Sequence, residues 1–169
     1  MHDRDLYATI LGIRAPWSVS SVEIRAAQSS VEVTVLLPSD AEAMCPQCKV
    51  PSPRYDTKQR RWRHLDTCQF RTFINCDVPR VKCMEHGVHQ IEVPWAVPGS
   101  RFTALFEAMV IDWLKEASIR AVGRLMDLSW DEADGIMQRA VDRGLKRRKL
   151  DPPSRIGIDE TSFAKRHEY

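Results

Sequence analysis

Hydrophobic and polar positions alternate over two short stretches near the start of the chain. Val22 and Ile24 stand among Ser21, Glu23 and Arg25, and Val31, Val33 and Val35 stand among Glu32 and Thr34. Period-two alternation predicts strands with one buried face, and residues 26–30 read as the turn between them. Residues 1–40 are therefore expected to carry a β-hairpin, with Val19 out of phase in its first strand. Residues 6–13 fit a short helix or a strand equally well.

From 41 to 98 there is little helical periodicity, and candidate strands fall at 61–65, 70–76 and 80–83. The pattern then changes. Phe102, Leu105, Phe106, Met109, Val110, Trp113 and Leu114 recur at helical spacing, with Ser100 as a candidate N-cap, and read as a core-packing stripe. Ile119, Val122, Leu125 and Met126 mark one face of a second helix, which breaks at Asp127-Leu-Ser129. A third begins at Ser129-Trp-Asp-Glu132, a capping-box sequence, with Ala133, Ile136, Met137, Ala140 and Val141 on its apolar face. Asp151-Pro-Pro-Ser154 reads as a stiff linker. After it, Ile156-Gly-Ile-Asp159-Glu160 reads as a strand running into a turn.

Composition narrows the function classes. Lys and Arg total 25 against 23 Asp and Glu, a net charge of +2, so only local clustering can mark a nucleic-acid surface. No apolar run reaches the roughly 18 residues of a membrane span, and no export signal is evident. Five cysteines without an export signal point to a reducing cytoplasm and, because all lie between Cys45 and Cys83, to metal binding.

The metal candidates are Cys45-Pro-Gln-Cys48 and Cys83-Met-Glu-His86. Each pair has two residues between its ligands, a spacing that lets a tight turn aim both side chains at one ion. The 34 residues between the pairs suit a zinc ribbon with strands between its knuckles. A small module with a limited core gains folding free energy from such a structural Zn2+. His89 is an alternative fourth ligand to His86. Cys68 and Cys76 read as small buried hydrophobes and His64 as a surface or hairpin side chain. A redox role for Cys45 and Cys48 would need a βαβ context, which is not found here.

Two short helices joined by three residues match a helix–turn–helix, whose second helix would enter the major groove of double-stranded DNA. Trp130, Gln138 and Arg139 are its candidate outward-facing readers. Two basic clusters flank it: Arg60, Arg61 and Arg63, interleaved with Trp62, and Lys146, Arg147 and Arg148. Both suit phosphate contacts. Asp159, at the end of an apolar strand, is a candidate ligand for a divalent metal only if partner carboxylates exist.

In combination these stretches resemble the ISL-three family of bacterial insertion-sequence transposases. The resemblance rests on Cys45-Pro-Gln-Cys48, His64-Leu-Asp-Thr-Cys68, Val78-Pro-Arg-Val-Lys-Cys83-Met-Glu-His86-Gly, Val93-Pro-Trp-Ala-Val-Pro-Gly-Ser-Arg-Phe102, Ser129-Trp-Asp-Glu132 and Ile156-Gly-Ile-Asp159-Glu160. It implies that Cys45, Cys48, Cys83 and His86 hold structural zinc and that the helix–turn–helix binds the element's terminal inverted repeats. It also makes Asp159 the first carboxylate of a DDE triad in an RNase-H-like domain, whose complete form uses Mg2+. The other two carboxylates of that triad are not present, so the expectation is a truncated transposase, inactive alone.

The expected fold class is α+β: a β-hairpin at 1–40, a zinc ribbon at 41–98, a helix–turn–helix module at 99–150, and a linker with the first strand of a catalytic domain at 151–169. Expected partners are transposon-end DNA and a second copy or a full-length transposase, with no membrane. The alternatives are a zinc-dependent DNA-binding repressor of transposition and a nonfunctional relic.

Overall fold

The strand at the centre of the sheet is 13 residues long, more than twice a typical strand, and it organises everything N-terminal to the helices. In the computed structural model, which describes residues 3–148 and Gly157, the elements run as follows. A helix α1 (Asp3–Ile10) is followed by strands β1 (Ser18–Arg25), β2 (Ser30–Leu36), β3 (Arg54–Arg63), β4 (Arg71–Cys83) and β5 (Gly87–Gln90). Three helices complete the order: α2 (Ala104–Glu116), α3 (Ile119–Met126) and α4 (Trp130–Arg147). The sheet order is β1-β2-β4-β3, with β5 also on β4.

The predicted hairpin forms. Val22 pairs with Val33 and Ile24 with Val31, and a bulge between Val19 and Ser21 takes up the extra residue that put Val19 out of phase. Val31, Val33 and Val35 are buried, but Ile24, opposite Val31 at the outer edge, is exposed. The undecided segment at 6–13 is α1 running into a buried Leu11 and Ile13.

β4 pairs antiparallel with β3 along one edge. Its other edge is divided: the first half pairs parallel with β2 and the last four residues pair antiparallel with β5. The hairpin at 1–40 and the cysteine-bearing strands thus share one sheet and one core. Trp95 seals that core, edge-on to Trp17 at 4.9 Å and to Trp62 at 5.5 Å between ring centroids. β3 is an edge strand, and Lys58 and Arg61 on it keep an open row of backbone groups from pairing with another chain.

A second core holds the helices together through Phe102, Phe106, Val110, Val122 and Ile136. It is stitched to the sheet where the chain past Arg101 runs beside the end of β3. Arg63 donates its amide to Arg101 (2.9 Å), and Thr103 donates its amide to Arg63 (3.0 Å). The cap of α2 is Thr103, not Ser100. Ser100 is buried instead, with its hydroxyl on the Glu107 carboxylate at 2.8 Å.

The apolar stripe on α2 is only partly buried. Phe106 and Val110 are in the core, whereas Leu105, Met109 and Trp113 are 52%, 40% and 46% exposed. The seven apolar positions cover roughly half the helix circumference, which is wider than one packed layer can bury.

Two buried polar groups fix the helices to each other and to the sheet. Glu107 is 1% exposed and accepts hydrogen bonds from Arg139 (2.8 Å) and Arg143 (3.3 Å) on α4. Removing one member of a buried ion cluster strands the rest, so Glu107→Ala is expected to cost about 3 kcal/mol in urea unfolding. A loss under about 1 kcal/mol would show that water replaces the carboxylate.

His64, expected as a surface or hairpin side chain, lies in the β3–β4 hairpin but is only 5% exposed, because it closes the junction between sheet and α2. Its Nδ1 is hydrogen-bonded to the Thr103 hydroxyl at 2.8 Å, and that hydroxyl also accepts the Phe106 amide. Burial, aided by the Arg63 charge, pushes the imidazole down to about 4. The unfolded chain therefore binds the extra proton first. Stability is full above pH ~6.5 and falls as the pH drops toward ~4, by up to about 3 kcal/mol. His64→Gln, which does not titrate, is expected to flatten this part of the stability–pH curve relative to wild type; parallel curves would remove His64 as the cause.

Candidate metal centre and nucleic-acid interface

Two turns face each other at one end of the sheet. In the first, Lys49 donates its amide to the Cys45 carbonyl (2.9 Å) and takes a left-handed backbone at φ 58°, which folds Cys45 and Cys48 to the same side. The second is the β4–β5 hairpin. Cys83 is the last residue of β4, and Gly87, at φ 77°, reverses the chain after His86.

The sulfurs of Cys45, Cys48 and Cys83 and a ring nitrogen of His86 lie within 4.8 Å of one another. Cys48 Sγ is 3.7 Å from Cys83 Sγ, and His86 Nδ1 is 3.5 Å from Cys83 Sγ and 3.8 Å from Cys45 Sγ. A tetrahedron with Zn–S bonds of about 2.3 Å has edges of about 3.8 Å. The spacing and the Cys3His donor chemistry both fit zinc. The hydrogen bond from His86, with help from backbone amides, lowers the Cys83 thiol to about 6, toward the thiolate a metal needs. His89 stands outside the set, with its Nε2 bonded to the His86 carbonyl at 2.6 Å.

The remaining cysteines differ. Cys76 is buried, and burial raises its thiol to about 12. Cys68, expected to be buried, is exposed, because it occupies a left-handed turn position at φ 57°.

α3 and α4 form the expected helix–turn–helix. Ser118 caps α3, and Asp127 ends it in the left-handed conformation, φ 52° and ψ 53°. Gly123 lets the turn close: its amide oxygen accepts from Leu128 at 2.8 Å, and a Cβ there would stand 2.9 Å from the Leu128 carbonyl oxygen. The capping box at the start of α4 is complete, with Glu132 N–H on Ser129 Oγ (3.2 Å) and Ser129 N–H on the Glu132 carboxylate (3.0 Å). Two ion pairs moor this turn: Arg71 to Asp127 at 2.6 Å and Arg101 to Glu132 at 3.2 Å.

Comparison with known proteins bears on both sites. A family model described as the zinc-finger of transposase IS204/IS1001/IS1096/IS1165 matches residues 41–86, a span that holds all four ligands. One described as the helix-turn-helix domain of transposase family ISL3 matches 91–141, from the end of the sheet into α4. The chain belongs to the ISL3 transposase family. It is 34% identical over 129 residues to the transposase for insertion sequence element IS1557 of Mycobacterium tuberculosis, in strains CDC 1551 and H37Rv alike. The match takes in 74% of this chain but 29% of each relative's length. No solved structure matches.

Within this ISL3 frame the sequence-predicted contact residues separate by environment. Trp130 and Gln138 are exposed, as are Lys146, Arg147 and Arg148 at the end of α4. Arg139, expected to face outward, turns inward onto Glu107. The first basic cluster is largely committed to the sheet. Arg63 is mostly buried, paired with Asp66 and set over Phe73 and Phe106. Arg61 lies over the Phe73 ring and bonds to Glu32 at 2.7 Å. Burial alone would raise the Glu32 carboxyl, but the bonds from Arg61 and Asn75 hold it below its usual value. Arg60 is half-buried beside Trp62. Asp159 and the expected start of an RNase-H-like domain lie outside the described residues. No helix among the described residues is long and apolar enough to cross a membrane.

Glu107, His64 and Arg101 were invisible as structural polar groups in the sequence. Their one signal was the charge of Glu107 set between Phe106 and Ala108 at the edge of an apolar helical stripe.

The purified protein is expected to hold one zinc per chain. Cys48→Ser should release it and speed amide exchange between residues 41 and 98, while α2–α4 keep their protection through their own core. His89→Ala should keep one zinc. Zinc retained in full by Cys48→Ser, or lost from His89→Ala, would change the ligand set.

Proposed function

We propose that this chain is the DNA-end-binding part of an ISL3 transposase, recognising the terminal inverted repeats of its element as double-stranded DNA. The observation that supports this best is the helix–turn–helix itself. Its capped α4 and left-handed Asp127 turn fall inside the segment that the ISL3 model matches. Zinc, held by Cys45, Cys48, Cys83 and His86, has a structural role in this reading. Four protein ligands leave no open position for substrate.

Strand transfer is assigned to the full-length family and to a carboxylate triad that would include Asp159 and bind Mg2+. Among the described residues, the cysteine–histidine group is the one cluster of three or more such side chains placed to hold a metal, and the reading of residues 3–148 as a DNA-binding part rests on the helix–turn–helix. Lys146, Arg147 and Arg148 are exposed enough to neutralise phosphates; Arg61, Arg63 and Arg139 act by holding their neighbours in place. Occupation of the repeats by such a chain would also exclude an intact transposase, so the repressor reading is a consequence of the same binding.

A fluorescence titration of the zinc-loaded protein against the element's terminal repeat and a scrambled duplex, over a salt series, tests the reading. The repeat is expected to bind about 100-fold or more tightly, with affinity falling steeply as salt rises. Equal and weak binding to both duplexes would overturn end recognition.

A further inference from the structure

The outward face of α4 is wrong for lying along a DNA groove. Opposite the buried Ala133 and Ile136, that helix presents Asp131, Asp134 and Asp142, together with Gln138, Val141 and Leu145. Its two cations in that stretch, Arg139 and Arg143, are turned inward to Glu107. Double-stranded DNA carries about one negative charge per 1.7 Å of axis, so three carboxylates laid between its phosphate walls would be repelled.

The neighbouring corner of the motif has the opposite character. Arg120 and Arg124 stand one turn apart on α3, exposed, and neither has a carboxylate in ion-pair contact among the described residues. They line one shallow crease with Trp130, the first residue of α4, whose side chain is 60% exposed. Of the acids at this corner, Asp127 is held by Arg71 and Glu132 by Arg101, and Asp131 sits beside Trp130 in the first turn of α4. Two free guanidiniums beside an exposed indole form a surface that fits a phosphodiester backbone, with Arg at the phosphates and the ring against the sugar or a thymine methyl.

We propose that the α3–α4 corner, built from Arg120, Arg124 and Trp130, is the surface that meets DNA, and that α4 enters end-on rather than along its length. This rests on the DNA reading above. It makes Trp130 the specificity residue and leaves Gln138 without a role in readout. The exposed apolar pair Val141 and Leu145 is then free of the groove.

The test uses the whole zinc-loaded chain, a duplex carrying the terminal repeat, and a scrambled duplex. All the substituted side chains are exposed, so thermal unfolding should be unchanged. Arg120→Gln/Arg124→Gln is expected to weaken repeat binding tenfold or more and to reduce the slope of log affinity against log salt by about 2, from two lost phosphate contacts at ~0.9 each. Trp130→Ala should erode the preference for the repeat over the scrambled duplex. Gln138→Ala/Val141→Ala should leave affinity and preference within about twofold. An unchanged salt slope in the arginine double variant overturns the proposal. So does a tenfold loss of affinity or preference in the Gln138/Val141 variant. Wild type that binds neither duplex overturns the DNA reading itself, a result separate from either of these.

Discussion

One strand carries the geometry of the whole molecule. β4 begins at Arg71, which holds the helix–turn–helix through Asp127, and ends at Cys83, a ligand of the candidate zinc centre. Twelve steps of an extended chain separate those two points by roughly 40 Å. Because β4 is hydrogen-bonded along both edges, that distance is fixed by backbone pairing rather than by side-chain packing. The alternating buried positions Ile74, Cys76 and Val78 set its register, since a one-residue slip would turn these toward the other face. The same register decides whether Cys83 meets His86 and whether Arg71 reaches Asp127.

The helices depend on that strand indirectly. Their apolar core is small, five buried side chains, and would define the relative angle of α2 and α4 only loosely. Buried polar contacts supply what packing does not. Glu107 accepts from Ser100, Arg139 and Arg143 at once, so its oxygens are satisfied only when α4 has one rotation and one depth against α2. A buried charge of this kind is weak evidence for stability, because desolvating it is costly, but strong evidence for a defined arrangement. His64 does the same across the sheet–helix junction. Its ring is hydrogen-bonded to the Thr103 hydroxyl at the cap of α2, which fixes where that helix starts. Together these contacts aim the helix–turn–helix relative to the metal-bearing end.

Local patterns were legible in the sequence, and long-range ones were not. The Cys-x-x-Cys and Cys-x-x-His spacings, the alternation of Val31, Val33 and Val35, and the Ser129–Glu132 capping box each depend on residues a few positions apart, and each forms. Most of the misses involve partners far along the chain. His64 read as a surface group because Thr103 is 39 residues away. Arg139 read as outward-facing because its partner Glu107 lies on another helix. Ser100 looked like an N-cap because the bend that buries it is made by pairing with β3. The stripe on α2 gave the right helix but too wide a buried face, since periodicity reports which side chains are apolar and not how much neighbouring structure exists to cover them.

The placement of charge resolves a conflict built into α4. A helix start is stabilised by acids in its first turn, and this one has Asp131 and Glu132 there, following Asp127 in the turn. A DNA-binding helix needs the opposite charge at the same place. The fold separates the two demands in space. Arg71 from the sheet and Arg101 from the junction cover Asp127 and Glu132, while Arg120 and Arg124 on the preceding helix have no carboxylate in ion-pair contact among the described residues. Glu132 keeps its favourable interaction with the α4 dipole, and the field that it and Asp127 would cast toward a phosphate is offset by the paired guanidiniums within a few ångströms, well inside the screening length of about 8 Å at physiological salt. That cancellation depends on Arg71, and hence on the first residue of β4. The sheet therefore does more than carry the helix–turn–helix: it sets the sign of the potential at the corner that faces solvent.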